Sequence, residues 1–215
     1  MNKSSKSEII DLIRRYPTLE GCKKEIENAF LLLLSAYKKN RKLLIAGNGG
    51  SAADAEHIAG ELMKRFDINR GVSKEFIDKL IEVDRKVGKE LASYLEKPIE
   101  AIPLTSHISL TTAYMNDANA DGVFAQQLLG YGKKGDVFLA ISTSGNSKNI
   151  YNACIVAKAL GLKIIGLTGK KSSKLSRIAD ITIKVPEDET YKVQELHLPI
   201  YHVLCKMLEK ELVKQ

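Results

Sequence analysis

The sequence of 215 residues has no tryptophan, three cysteines and five prolines. Each scarcity excludes something. Cys22, Cys154 and Cys205 are far apart and odd in number. They suit reduced thiols rather than a disulfide framework, and none has the spacing of a zinc ribbon or a redox pair. No stretch is rich enough in Pro, Gly or Ser to read as a linker or low-complexity segment, and no internal repeat shows. No apolar run approaches the length of a membrane span, so no membrane partner is expected. The opening MNKSSKSEII lacks an apolar core, so no signal peptide is expected, and a cytoplasmic location follows. What is present is ordinary for a globular chain: 44% hydrophobic and 27% charged residues. The length fits a single domain over 1–215 with a real core. The net charge of +7 is dispersed among scattered lysines. That argues against nucleic acid and suits a small anionic metabolite.

Five short apolar runs alternate with helical patterns: Leu43 to Ala46, Ile99 to Leu104, Asp136 to Ile141, Leu162 to Leu167 and Ile181 to Val185. This alternation predicts an α/β fold with a five-stranded parallel sheet covered on both faces. Residues 1–40 form a helical arm, interrupted at Pro17, that packs on the sheet or on another subunit. Over 67–97, Phe76, Leu80, Val83, Val87, Leu91 and Tyr94 recur at helical spacing, predicting one amphipathic helix. Its seven basic and seven acidic residues balance, as on a solvated face. A long final helix starts near Thr190.

Two strand-to-helix turns stand out. After Asp136 to Ile141 comes Ser142-Thr143-Ser144-Gly145-Asn146-Ser147, which brings four hydroxyls to a helix N-terminus. Unpaired N–H groups and the positive end of the helix dipole make that a phosphate site. A polar turn with a Ser cap is the plainer alternative. After Leu43 to Ala46 comes Gly47-Asn48-Gly49-Gly50-Ser51, whose glycines permit a tight turn and close ligand approach. It matches neither the dinucleotide fingerprint nor the P-loop. Ligands of parallel sheets bind beyond the carboxyl ends of the strands, where both turns lie. On the helix after the Gly-rich turn, His57 and Glu61 share a face, and His202 lies two turns beyond Gln194 on the final helix. These groups suit a metal site or an acid–base pair, while a surface i,i+4 pair and a core histidine are the plainer alternatives.

GNGGSAADAEHIAGEL, SHIS, ND, GDVFLAISTSGNSKNI, IIGLTGK and VQELHLPIYH occur in an order that resembles the phosphoheptose isomerases, enzymes of the sugar isomerase (SIS) domain family. The resemblance runs from about residue 20 onward, except for 67–97, which reads as a helical insertion. It implies a three-layer α-β-α sandwich of the flavodoxin-like SIS type. It also implies conversion of sedoheptulose 7-phosphate to D-glycero-D-manno-heptose 7-phosphate for lipopolysaccharide or another heptose-containing glycan. Homotetramers with active sites shared between subunits, and zinc, belong to the same implication. By this resemblance Asn48, Gly49, Gly50, Ser51, Asn116, Asp117 and Arg65 contact the substrate, together with Glu61 and Gln194. Ser142, Thr143, Ser144 and Ser147 hold its phosphate. Glu61 and His202 are catalytic, and His57, Glu61, Gln194 and His202 hold the metal. Two departures stand beside this: Pro199 inside the last helix, expected to kink it, and Tyr191 where related enzymes often carry Asp. Two other readings compete: a non-catalytic SIS adaptor of the DnaA-associating type, and an isomerase of another sugar phosphate. Glu61 and His202 favour an enzyme over the adaptor.

Overall fold

The five apolar runs become five parallel strands. In the computed structural model, which describes residues 3–213, they are β1 (Leu43–Ala46), β2 (Ala101–Pro103), β3 (Val137–Ile141), β4 (Lys163–Thr168) and β5 (Ile181–Lys184). The sheet order is β2-β1-β3-β4-β5, with every pairing parallel. This is the flavodoxin-like order, in which the connection reverses direction between β1 and β3. β2 is shorter than expected. Pro103 has no N–H to give, and it is tolerated because β2 is an edge strand.

Alternate residues of each strand enter two cores. Leu43, Ile45, Leu139, Ile165 and Ile183 face one helical layer, made by α1 (Lys3–Arg15), α2 (Lys23–Tyr37), α3 (Gly50–Met63) and α10 (Thr190–Leu212). Leu44, Ala46, Phe138 and Ile164 face the other, where α7 (Val123–Tyr131), α8 (Lys148–Ala159) and α9 (Lys174–Ile178) supply Phe124, Leu128, Ile150, Cys154 and Leu175. Both faces are therefore dry, and every residue of β1 and β3 is buried. The N-terminal arm belongs to this sandwich: Ile9, Leu12, Ile26, Phe30 and Leu33 are all core residues. The three cysteines are free and buried. No helix among the described residues is long and apolar enough to cross a membrane.

The expected single helix over 67–97 is instead a hairpin of α4 (Lys74–Val83) and α5 (Arg85–Tyr94). Asp84 breaks it. Its backbone is extended, and its side chain accepts hydrogen bonds from the N–H groups of Lys86 and Val87, capping α5. Gly88 then lets the helices cross closely, since a Cβ there would lie 2.3 Å from the Leu80 carbonyl oxygen. α4 and α5 pack chiefly on each other, and Val83 stays 89% exposed.

Below the hairpin, the chain at 66–70 is fixed by a buried carboxylate. Glu209 of α10 accepts the N–H groups of Phe66, Asp67 and Ile68 at 2.8, 2.7 and 2.9 Å. Its partner is the buried Arg70, with Nε 3.5 Å away. Arg70 in turn donates to the carbonyls of Leu62 and Glu61 at 2.8 and 3.3 Å. Burial pushes the Arg70 guanidinium down and the Glu209 carboxylate holds it up. Pro199 lies inside the final helix and does not end it. α10 continues through that proline from Thr190 to Leu212, while the last two residues of the expected helix lie outside the described ones.

Candidate active site

Both ligand turns lie where β1 and β3 end side by side. Gly49 has φ +56°, a left-handed conformation that glycine adopts without penalty, and α3 starts at the next residue. Asn48 then reaches the serine-loop helix. Its side-chain amide and that of Asn149 exchange two hydrogen bonds of 2.9 Å each. Asn149 Oδ1 also accepts from the Ile150 N–H at 2.9 Å.

The serine loop is a compact nest. Gly145 turns at φ +65°, and a Cβ there would fall 2.1 Å from Ser173 Oγ. Ser142 and Ser147 share a hydroxyl hydrogen bond of 3.1 Å, and Ser144 Oγ accepts the Asn146 N–H at 3.2 Å. The Thr143 carbonyl accepts the Gly169 N–H, tying the loop to the end of β4. Ser147 stands at the N-cap of α8 without a side-chain capping bond, so the helix offers the N–H groups of Lys148 and Asn149 to an anion, that of Ile150 being taken by the Asn149 side chain. A cavity of about 210 Å³ opens beside Thr143, Ser144 and Asn146, with Lys171, Glu187 and Asp188 also in its lining.

Two turns further down α3, side chains from α3 and α10 meet. His57 Nε2 lies 3.3 Å from Glu61 Oε1 and 3.5 Å from His202 Nε2. The helix spacing of His57 and Glu61 puts them on one face, and α10 brings His202 to the same face. The kink expected at Pro199 therefore does not turn His202 away. Burial and the neighbouring His57 hold His202 below the usual histidine range, while Glu61 opposes them. Behind this cluster, Tyr201 Oη lies 3.1 Å from His57 Nδ1 and donates to Asp54 Oδ1 at 3.2 Å. Burial raises the Asp54 carboxyl, and the bond from Tyr201 counters it.

The donors suit zinc in kind: two imidazoles and a carboxylate. Adjacent ligands at bond lengths near 2.0–2.1 Å in a tetrahedron lie about 3.3–3.4 Å apart, close to the two His57 separations. Their arrangement does not form a metal cage. Among the described residues no group of three His, Cys, Asp or Glu side chains is arranged to hold a metal. Gln194, expected as the fourth ligand, packs instead over Gly50, where a Cβ would lie 2.1 Å from its Nε2. Gly50 is seven residues, about 10 Å of helix, above His57. There Gln194 borders a cleft of about 380 Å³ with Asp54, Tyr191, Glu195 and Leu198.

Other expected residues are engaged elsewhere. Arg65 pairs with Glu96 at the hairpin base: its Nε lies 3.1 Å from one carboxylate oxygen, and its N–H donates to the other at 2.8 Å. Asn116 donates to Asp117 at 2.8 Å at the end of α6 (Ile108–Asp117), a helix without a buried residue. Ser51 is buried in the first turn of α3. Sequence reasoning missed Asp54, Tyr201 and Asn149. Asp54 stands three residues before His57 and Tyr201 one before His202, but their meeting depends on how α3 and α10 align.

The fold and these two turns define an SIS-domain protein built to hold a phosphorylated sugar. SIS-domain models match residues 104–208 and 8–97. The phosphoheptose isomerase 2 of Campylobacter jejuni is 41% identical over 188 residues, covering 87% of this chain and 80% of that protein. The phosphoheptose isomerase of Sulfurimonas denitrificans is 39% identical, covering 87% and 83%. Among solved structures, the phosphoheptose isomerase GmhA of Neisseria gonorrhoeae has a TM-score of 0.73 at 29% identity, covering 95% and 96%. The chain belongs to the phosphoheptose isomerase family and is an isomerase.

Proposed function

We propose that this isomerase converts sedoheptulose 7-phosphate to D-glycero-D-manno-heptose 7-phosphate through an enediol, for a heptose-containing glycan such as lipopolysaccharide. The reading rests on the meeting of Glu61 and His202 around His57, from helices far apart in sequence. An aldose–ketose isomerisation moves one proton between adjacent carbons and another between their oxygens. Glu61 takes the carbon-bound proton and returns it to the neighbouring carbon. His202, which burial and His57 bias towards its neutral form, donates to the carbonyl oxygen and accepts from the hydroxyl. Ser142, Thr143, Ser144 and Ser147 bind the phosphate at the α8 N-terminus, far from the reacting carbons. That binding energy positions the carbons. Asn48, Gly49, Gly50, Ser51, Arg65, Asn116, Asp117 and Gln194 complete the substrate contacts.

Zinc held by His57, Glu61 and His202 would polarise the sugar carbonyl, and Gln194 would have to leave its place over Gly50 to join them. The metal would also occupy lone pairs that the proton steps use, so metal content has to be measured with turnover. A cytoplasmic homotetramer with shared sites completes the reading. The exposed apolar side chains of α6 and of the α4–α5 hairpin are the surfaces that support it.

Glu61→Gln and His202→Gln each keep shape but cannot perform their proton transfers. Turnover of sedoheptulose 7-phosphate should fall about 10²–10⁴-fold in each, with folding and phosphate binding retained. Near-normal turnover in either variant at unchanged metal content would overturn the assignment.

A further inference from the structure

Asp54 is a buried carboxylate with one oxygen, Oδ2, that has no hydrogen-bond partner among the described residues. Such a group is costly to keep, and an apolar pair at 54 and 201 would pack without that cost. Its second oxygen receives the hydroxyl of Tyr201, a buried residue. A carboxylate only accepts, so the single Tyr201 proton points at Asp54. The Tyr201 oxygen then offers His57 Nδ1 only lone pairs, at 3.1 Å. His57 Nδ1 then fits that contact as the donor. The other ring nitrogen, Nε2, is left facing Glu61 Oε1 and His202 Nε2.

We propose that Asp54 and Tyr201 are positioning residues that hold His57 in its Nδ1–H form and reserve Nε2 for the reaction site. The chain of donors runs one way: His57 Nδ1–H to Tyr201, and Tyr201 O–H to Asp54. It fixes ring orientation as well as tautomer, because Tyr201 also meets the His57 ring edge-on, with centroids 5.5 Å apart. With Nδ1 protonated, Nε2 holds either a lone pair for a cation or a second proton shared with Glu61. Outer hydrogen bonds of this kind orient a ligating histidine and raise its basicity. The proposal rests on the reading of the His57 cluster as the reaction site.

The test is Tyr201→Phe in the full chain, which removes one hydroxyl and keeps the ring. ¹⁵N spectra of histidine-labelled protein, with His57 assigned by its own substitution, report the tautomer without reference to turnover. In the wild type the neutral ring should show a protonated Nδ1, and Tyr201→Phe should move the proton partly to Nε2. Co²⁺ titration of the metal-free protein should then show an affinity about 10–100-fold weaker in the variant. Should wild type take up no Co²⁺, kcat carries the comparison, falling at unchanged KM. A wild-type His57 protonated at Nε2, or a tautomer unmoved by Tyr201→Phe, overturns the relay. A moved tautomer with unaltered Co²⁺ affinity and kcat overturns its positioning role. If Glu61→Gln and His202→Gln retain turnover, the reaction assignment fails while the tautomer and Co²⁺ readouts still decide the relay.

Discussion

The buried pair of Arg70 and Glu209 yields an asymmetric prediction. The two residues are equally hidden, at 3% and 1% exposure, yet they depend on each other unequally. Glu209 has three backbone N–H donors besides Arg70. Arg70 has two helix carbonyls, and among the described residues its Nε and Nη1 lack hydrogen-bond partners. Arg70→Met therefore leaves a carboxylate still cradled by the chain at 66–68. Breaking a buried pair typically costs about 3–5 kcal/mol, and the cradle should keep this variant near the lower figure. Glu209→Met strands the guanidinium and orphans three N–H groups, each worth about 1–3 kcal/mol if left dry. Its cost should exceed about 5 kcal/mol. At about 2–4 °C per kcal/mol for a chain of this size, Arg70→Met should melt about 6–12 °C early. Glu209→Met should melt at least about 10–20 °C early or fail to fold. Replacing both should recover part of the loss, since neither charge is then left alone. Calorimetry of the three variants checks the order. An Arg70 variant less stable than the Glu209 variant would refute the view that the backbone cradle satisfies the carboxylate.

Other expectations follow from the site and core. Ser144→Ala or Ser147→Ala should weaken sugar-phosphate binding by about 1.5–3 kcal/mol, roughly ten- to a hundredfold, which titration calorimetry reads directly; unchanged affinity in both would remove the phosphate from this loop. His197 is wholly buried on α10, and burial lowers it to about 4. The native state excludes a proton that the unfolded chain binds below about pH 6.5, so stability is full above that pH and drains as pH falls towards 4. At pH 5 the loss from this residue should be about 2 kcal/mol relative to pH 8. His197→Leu should flatten the urea midpoints across that range by a corresponding amount, and an unchanged slope would assign the acid sensitivity elsewhere.

The strands were readable because both faces of a parallel sheet are buried, so each appears as an unbroken apolar run such as Val137 to Ile141. The turns were readable because glycine and serine cluster where backbone must approach a ligand. The pair of His57 and Glu61 was readable from local spacing. Contacts across the chain were not. The pairing of Asn48 with Asn149, or of Tyr201 with Asp54, follows from helix alignment and leaves no periodic trace. Arg65 was drawn to Glu96, thirty-one residues later, because the two ends of the hairpin segment meet at its base, where Gly71 bridges Glu96. The hairpin itself was missed because the apolar spacing of α4 continues almost unbroken through Asp84 into α5. Only the capping role of Asp84 and the close crossing at Gly88 mark the break.

The position of α10 in the chain has a consequence for synthesis on the ribosome. His57 and Glu61 emerge early, whereas His202, Tyr201 and Glu209 come about 145 residues later, counted from His57 to His202. At roughly 5–20 residues per second, the two halves of the cluster are separated by about 7–30 s. During that interval α7, α8 and α9 are made and one face of the sheet can close. The face covered by α10 cannot, and Phe30, Ile45 and Ile58 remain without their full cover. The nascent chain thus carries an open apolar surface and half a reaction site until its last long helix docks. Chaperone contact should concentrate on that face, and no nascent intermediate ending before α10 should turn over substrate.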